Sequence, residues 1–181
     1  MLNGAFTNTM DLLDTAIAVS NRSVQPNLLR SKIDDLFEKV GDRLLFVHKD
    51  SRRSIYEDNG TDFSIQEFEV HSANVPLGNH FHKKSGWKKT IEDANFPGLS
   101  EIFVFDKWSW ILLLRDISLD GKALWEVKKI GIIVNDIIMI PPYQAHTFYL
   151  LPGTQFRWFR PYPFDERNKD MNPYTLELPL E

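Results

Sequence analysis

The chain has 181 residues, 43% hydrophobic, 13% aromatic and 25% charged, enough for one folded domain that hides about 70% of its unfolded surface. A net charge of −4 gives no global attraction toward nucleic acid or anionic membranes. There is no cysteine, which excludes disulfides, thiolate catalysis, iron–sulfur clusters and thiolate zinc sites; any metal must be held by His, carboxylate, backbone or water.

The first residues, Met1 to Met10, lack the basic start and apolar stretch of an export signal. The longest strongly apolar run, Trp110 to Leu114, falls far short of the roughly 20 residues that span a bilayer. A cytoplasmic protein without membrane attachment is expected. Met10, Leu13 and Ile17 repeat at helical spacing behind Thr9 as N-cap, which predicts a helix over 10–19. Ser20 to Pro26 is polar and reads as a loop. A second helix follows Pro26, where Leu29, Ile33, Leu36 and Val40 form one apolar stripe, with Asp35 and Lys39 paired one turn apart.

Beyond Gly41 the pattern changes to strands. Leu44 to His48, Phe63 to Val70, Glu101 to Phe105, Trp108 to Ile117, Ala123 to Ile130, Asp136 to Ile140, Ala145 to Leu151 and Gln155 to Arg160 are rich in β-branched and aromatic residues. Turn signals separate them at Asp58-Asn59-Gly60, Asp120-Gly121, Asn135-Asp136 and Pro152-Gly153. Many short strands without intervening helices predict an antiparallel sandwich, jelly roll or barrel. The expected organisation is a helical N-terminal extension, 1–42, followed by a β-barrel domain, 43–181. Residues 83–100 read as an irregular insertion, and the proline-rich stretch from Pro161 to Pro173 as a segment laid over the barrel. Trp108, Trp110, Trp125, Phe156 and Trp158 are expected in the core.

Of five histidines, two lie in Gly78-Asn79-His80-Phe81-His82, where a strand's two-residue period points His80 and His82 to one face. Glu101 opens the apolar strand through Phe105, alternating inward with Phe103 and Phe105, and Pro141-Pro142-Tyr143-Gln144-Ala145-His146 leads into another strand. His48 and His71 carry no partner pattern.

With these residues in place the chain resembles the cupin superfamily over roughly residues 66–160. That family's first motif runs Gly, five residues, His-x-His, a gap, Glu, six residues and Gly. Its second runs Gly, five residues, Pro-x-Gly, two residues and His. His80, His82, Glu101, Pro141 and His146 fall on motif positions, whereas Asn74, Trp108, Asn135 and Tyr143 stand where the motifs have glycine. Asn is the usual substitute where a turn needs positive φ. The resemblance implies an all-β, antiparallel double-stranded β-helix (the cupin jelly-roll barrel). It also implies a divalent transition metal (Fe, Zn, Ni or Mn) held by His80, His82, Glu101 and His146, with open positions for water or substrate. In some metal-free sugar isomerases of this fold, the histidines of a similar His-x-His-Lys stretch act directly as acid and base.

The stretch Gly78 to Lys83 also looks like the motif of the cupin half of capsular-polysaccharide epimerases and of sugar-nucleotide ketoisomerases. The resemblance implies an enzyme acting on a small polar substrate such as a sugar or sugar nucleotide by isomerase- or epimerase-type proton transfer. Tyr143, Tyr149 and Lys83 are the candidate acid–base residues. A mononuclear iron dioxygenase is the alternative, since the aromatic-rich barrel suits an apolar or aromatic substrate, and a non-catalytic small-molecule-binding cupin is a further one. Lys83, Lys84, Lys88 and Lys89 flank Trp87 and read either as an anion-binding lid or as a solvated loop. Parity alone does not show which of Arg115, Arg157 and Arg160 point inward. Asp34, Asp35 and Glu38 on the second helix oppose phosphate binding, so no nucleic-acid partner is expected. The helices are left to cover a barrel face or to build a homodimer.

Overall fold

Helix α1 (Pro26–Val40) begins at a proline, whose missing N–H costs nothing in the first helical turn. It buries Leu29, Ile33, Leu36, Phe37 and Val40. In the computed structural model, which describes residues 26–41, 44–59, 64–72, 76–83, 100–160 and 170–178, that stripe rests on the chain's own sheet. The helix expected at 10–19, Asn74, most of the 83–100 insertion and most of the proline-rich segment lie outside the described residues.

The strands are β1 (Leu45–Lys49), β2 (Arg53–Asn59), β3 (Ser64–Val70), β4 (Leu77–His82), β5 (Glu101–Lys107), β6 (Ile111–Asp116), β7 (Lys128–Gly131), β8 (Ile137–Ile140), β9 (Gln144–Tyr149), β10 (Gln155–Arg160) and β11 (Met171–Pro173). They form a six-stranded sheet, β1-β2-β3-β10-β5-β8, and a five-stranded sheet, β11-β4-β9-β6-β7. The pairings within the sheets are antiparallel. This is the expected jelly roll.

Side-chain parity builds the layers. On β5, Ile102 and Val104 face α1 together with Ile65 and Phe159, while Phe103 and Phe105 face the interior with Leu112, Leu114, Phe148 and Phe156. Leu113, Phe81 and Ala145 point to the far side of the smaller sheet, where Leu176 covers them. Strands buried on both faces read as continuous apolar runs instead of alternating ones, as β5 and β6 do. Each fully buried Leu or Ile contributes about 1.5–3 kcal/mol relative to exposure, so the α1 layer is a substantial part of the fold.

Two expectations need correction. Trp108, Trp110 and Trp125 are 64%, 40% and 67% exposed, because they sit in connections after β5 and β6 and not on inward strand positions. Phe156 and Trp158, on an inward face of β10, are buried as expected. The stretch Ala123 to Ile130 is strand only from Lys128, with an isolated bridge between Ile117 and Ala123 before it.

Candidate metal centre

The site is built on a bulge. Gly78 and Asn79 both take positive φ, 91° and 60°, and the β4–β9 register shifts between Gly78 and His80. A Cβ on Gly78 would lie 2.7 Å from the carbonyl oxygen of His146, so only glycine permits this approach of the two strands. Thr147 Oγ1 donates to Asn79 Oδ1 at 2.8 Å and fixes the bulged residue. A bulge re-aims the following side chains; here it sets His80 opposite His146 across the strands.

His80, His82, Glu101 and His146 are brought together, with one ligand atom of each within 4.8 Å of all the others. His80 Nε2 lies 3.1 Å from His82 Nε2. Glu101 Oε2 lies 3.1 Å from His82 Nε2 and 3.2 Å from His146 Nε2. His82, Glu101 and His146 are buried. Trp158 Nε1 donates to Glu101 Oε1 at 2.8 Å, while Glu101 Oε2 is buried and accepts no hydrogen bond. The imidazole N–H of His80 donates from Nδ1 to the Gly78 carbonyl at 2.9 Å, and His146 Nδ1 faces the Gln144 carbonyl at 3.3 Å. Those contacts leave the Nε2 lone pair of His146 turned toward Glu101 Oε2 and that of His80 toward His82 Nε2, as metal-ligating imidazoles require.

The donor set fits a divalent ion. Ligands at roughly 2.0–2.2 Å in tetrahedral or octahedral geometry stand about 3.0–3.5 Å from their neighbours, and the separations of 3.1 and 3.2 Å fall in that range. A buried carboxylate oxygen facing three imidazoles is costly unless a cation, whether an imidazolium or a metal ion, completes it.

Burial and the neighbouring His146 hold the His80 pKa down at about 3. Burial likewise lowers that of His146. Burial also disfavours the His82 cation, but the charge of Glu101 and the carboxylate of Asp170 outweigh it and its pKa is raised. For Glu101, burial alone would favour the neutral acid; the facing imidazoles of His82 and His146 reverse this and hold the carboxyl well below its usual range. Without an ion, then, the Glu101 and Asp170 carboxylates on either side of His82 favour its protonated form. A neutral His82 with a bare Nδ1 accepts from Arg160 Nη2 at 2.9 Å, whereas a hydrogen on Nδ1 points instead to Asp170 Oδ2 at 3.5 Å, so the two contacts compete. An ion taking Nε2 would settle that competition for Asp170, since Nδ1 must then carry the hydrogen.

The cluster opens onto a cavity of about 820 Å³ whose adjoining wall is Phe103, Phe148, Phe156 and Trp158. Lys83, Tyr143 and Tyr149 do not line it. Lys83 is exposed at the end of β4, its ammonium 5.9 Å from the Phe81 ring. Tyr143 packs near Phe81, and Tyr149 donates its hydroxyl to the Leu176 carbonyl at 3.1 Å, both on the far side of the smaller sheet. Lys84, Trp87, Lys88 and Lys89 lie outside the described residues. Of the three arginines, Arg160 points inward; Arg157 faces α1, and Arg115 donates to the Trp125 carbonyl. Sequence reasoning missed Trp158 as the partner of Glu101 and Arg53 as a cavity residue. The two-residue period of β10 from Phe156 was a usable signal for the first.

No protein-family model and no curated protein matches the sequence. Among solved structures, the capsular polysaccharide assembling protein CapF from Staphylococcus aureus matches at 16% identity with a TM-score of 0.51, covering 74% of this chain and 32% of that one. CapF with the inhibitor 3-isopropenyl-tropolone matches at 16% identity and 0.53, covering 74% and 35%. Oxalate decarboxylase from Bacillus subtilis matches at 11% identity and 0.46, covering 73% and 30%. The aligned region is about a third of the length of each of these proteins.

Proposed function

The chain is a cupin in fold, and from that premise we propose a metal-dependent enzyme acting on a small molecule held in the aromatic cavity beside His80, His82, Glu101 and His146. The observation that carries this reading is the convergence of three imidazole nitrogens and one unbonded carboxylate oxygen at the end of that cavity. An ion bound there would supply a Lewis acid with open positions and, if iron, oxygen chemistry. The chain's own groups do the rest. His80 and His146 present their lone pairs, Trp158 locks the rotamer of Glu101, and Phe103, Phe148 and Phe156 keep water from the side facing the substrate.

Between the two reactions considered, the ring-lined wall of the cavity supports a mononuclear iron dioxygenase working on an aromatic substrate, with Arg53, Glu57, Gln66 and Arg160 on the remaining lining to meet its polar groups. Among the described residues no Tyr or Lys lines the cavity, so an isomerase there would have to draw its acid and base from His80, His146 or Glu101, the same groups that would hold the metal. The sugar or sugar-nucleotide isomerase or epimerase remains the second reading, supported by the fold shared with a capsular polysaccharide assembling protein.

The deciding experiment is metal analysis of the untagged protein by plasma mass spectrometry beside His80→Ala, followed by oxygen uptake with aromatic substrates and turnover of sugar nucleotides. Near-stoichiometric metal that disappears in the variant, with oxygen uptake, is expected. Absence of metal even after reconstitution sinks the metalloenzyme. Sugar-nucleotide turnover without oxygen uptake moves the assignment to the second reading.

A further inference from the structure

Arg52 and Arg53 adjoin on the β1–β2 hairpin, yet their charges are handled differently. Asp50 Oδ1 accepts the backbone N–H groups of Arg52 and Arg53 at 2.7 and 2.9 Å, closing the turn. Its other oxygen accepts Nε and Nη2 of Arg52 at 2.8 and 2.6 Å. The Arg52 charge is thereby matched.

Arg53 shares a face of β2 with Ile55 and Glu57, and all three line the same cavity as the His/Glu cluster. Its guanidinium carbon sits 5.6 Å from the centroid of Phe68. Its Nε is buried and meets no acceptor, and no carboxylate among the described residues forms an ion pair with it. Glu57, the acid on that wall, is engaged by the Gln66 amide. Burial and the adjacent Arg52 charge both disfavour the Arg53 cation, with Asp50 offsetting part of that. Arg53 is partly exposed, so water meets some of its charge, but the buried Nε is left for an acceptor that a ligand in the cavity would supply.

What lies between Arg53 and the cluster defines the rest of the ligand. His146 and Phe103 have ring centroids 6.0 Å apart, Phe103 and Phe156 6.0 Å, and Phe156 stacks on Phe68 at 4.5 Å and 7°. A row of phenyl rings thus runs from the cluster to the guanidinium.

We propose that Arg53 recognises the anionic end of the cavity's ligand, an oxyanion on an apolar body that lies along Phe68, Phe156 and Phe103. A planar guanidinium fork matches a carboxylate through two parallel hydrogen bonds, so a carboxylate is the first choice and a phosphonate or phosphate the second. The inference rests on the cavity being the substrate site, and not on which metal or reaction operates there.

The test uses chelator-treated protein, so that an anion cannot simply bind a metal. Calorimetric titration with 4-phenylbutanoate, 4-phenylbutylphosphonate and the uncharged 4-phenylbutanamide reads the headgroup preference in wild type, Arg53→Lys and Arg53→Gln. At least one acid should bind on the order of tenfold tighter than the amide. Arg53→Gln should erase that preference and Arg53→Lys keep part of it. Whichever acid binds tighter names the headgroup. In parallel, Arg53→Met should raise the melting temperature of the free protein by roughly 2–4 °C, the response of a fold relieved of an unmatched charge. Equal binding of acid and amide, a preference surviving in Arg53→Gln, or no binding at millimolar probe overturns the proposal; so does a fall in melting temperature in Arg53→Met. Untreated wild type that carries no metal even after reconstitution, with the preference intact, would instead sink the metalloenzyme and leave Arg53 in its role.

Discussion

Strand β10 carries charge on both faces, and the two faces resolve it in opposite ways. Outward, Arg157 donates to Asp106 at 2.8 and 2.9 Å, pairs with Asp34 of α1 at 2.7 Å, and lies 5.0 Å from the Phe37 ring. Arg30 joins the same Asp106. Inward, Trp158 and Arg160 serve a centre that leaves Glu101 Oε2 without a hydrogen bond and His82 contested between Arg160 and Asp170. The outer network, in which each acid is paired and only Arg30 Nη1 lacks an acceptor, holds a helix in place. An open one of the same residue types marks a place where something else binds.

The comparison breaks if the two faces cannot be separated by substitution. Arg157→Ala should cost about 2 kcal/mol in chemical denaturation: it leaves Asp34 and Asp106 to Arg30 alone and uncovers Phe37, while the half-exposed Asp34 limits the loss. Metal content should stay unchanged; a parallel loss of metal would show that the outer network also shapes the centre. Trp158→Phe acts the other way. It keeps an apolar ring in the wall but removes the N–H that holds Glu101 Oε1. Metal affinity, read by competition with a chromophoric chelator, should fall about 10–100-fold, as for other supports of a ligand, with a smaller stability change than Arg157→Ala.

How much of this could be read from the sequence follows from the same parity. The β5 run from Glu101 to Phe105 shows apolar residues on both faces, and Glu101 shares the parity of Phe103 and Phe105. Its inward direction was therefore legible despite the long insertion before it. The pair His80 and His82 was legible for the same reason. The far-side placement of Tyr149 was available too: it sits an odd number of residues from His146 on β9. Strand β2 was not recognised, because Arg53, Glu57 and Asp58 interrupt its apolar content and Asn59 reads as a turn. The cost of that omission was Arg53. Exposure of Trp108, Trp110 and Trp125 was beyond sequence reasoning, since an aromatic in a connection and one on a strand look alike without the register.

Acid should act on the inner face before the outer one. The folded-state values of His80 and His146 lie below the ordinary histidine value near 6.5. Between the folded and unfolded values the unfolded chain binds more protons, so stability falls as pH drops through about 6.5. His82, raised, opposes this: its contribution is present at low pH and is lost as pH rises through its folded value. With two groups against one, the metal-free protein should melt at lower temperature at pH 5 than at pH 7. Loaded protein should show a steeper drop, because protons then compete with the ion for the same nitrogens. A flat profile in both forms would mean the imidazoles remain as solvated as in a peptide, and the inner face would no longer differ from the outer one.

The smallest effect concerns the backbone that carries these faces. Trp108, Asn135 and Tyr143, three of the positions where the cupin motifs have glycine, adopt φ of 37°, 76° and 59°; the glycine conformation persists without glycine. An L-residue there costs roughly 1–2 kcal/mol, against about 0.5–1 kcal/mol of extra chain entropy lost by a glycine. The outcome turns on what each side chain gains. Tyr143 packs with the far-side core near Phe81, so Tyr143→Gly should destabilise by removing that contact. Trp108 is 64% exposed and has little packing to lose. Trp108→Gly should therefore stabilise by about 0.5 kcal/mol, read as a rise of roughly 1–2 °C in melting temperature. A fall instead would mean that the indole makes a contact worth more than the strain it imposes, which would place a binding partner or a covering segment over the end of β5.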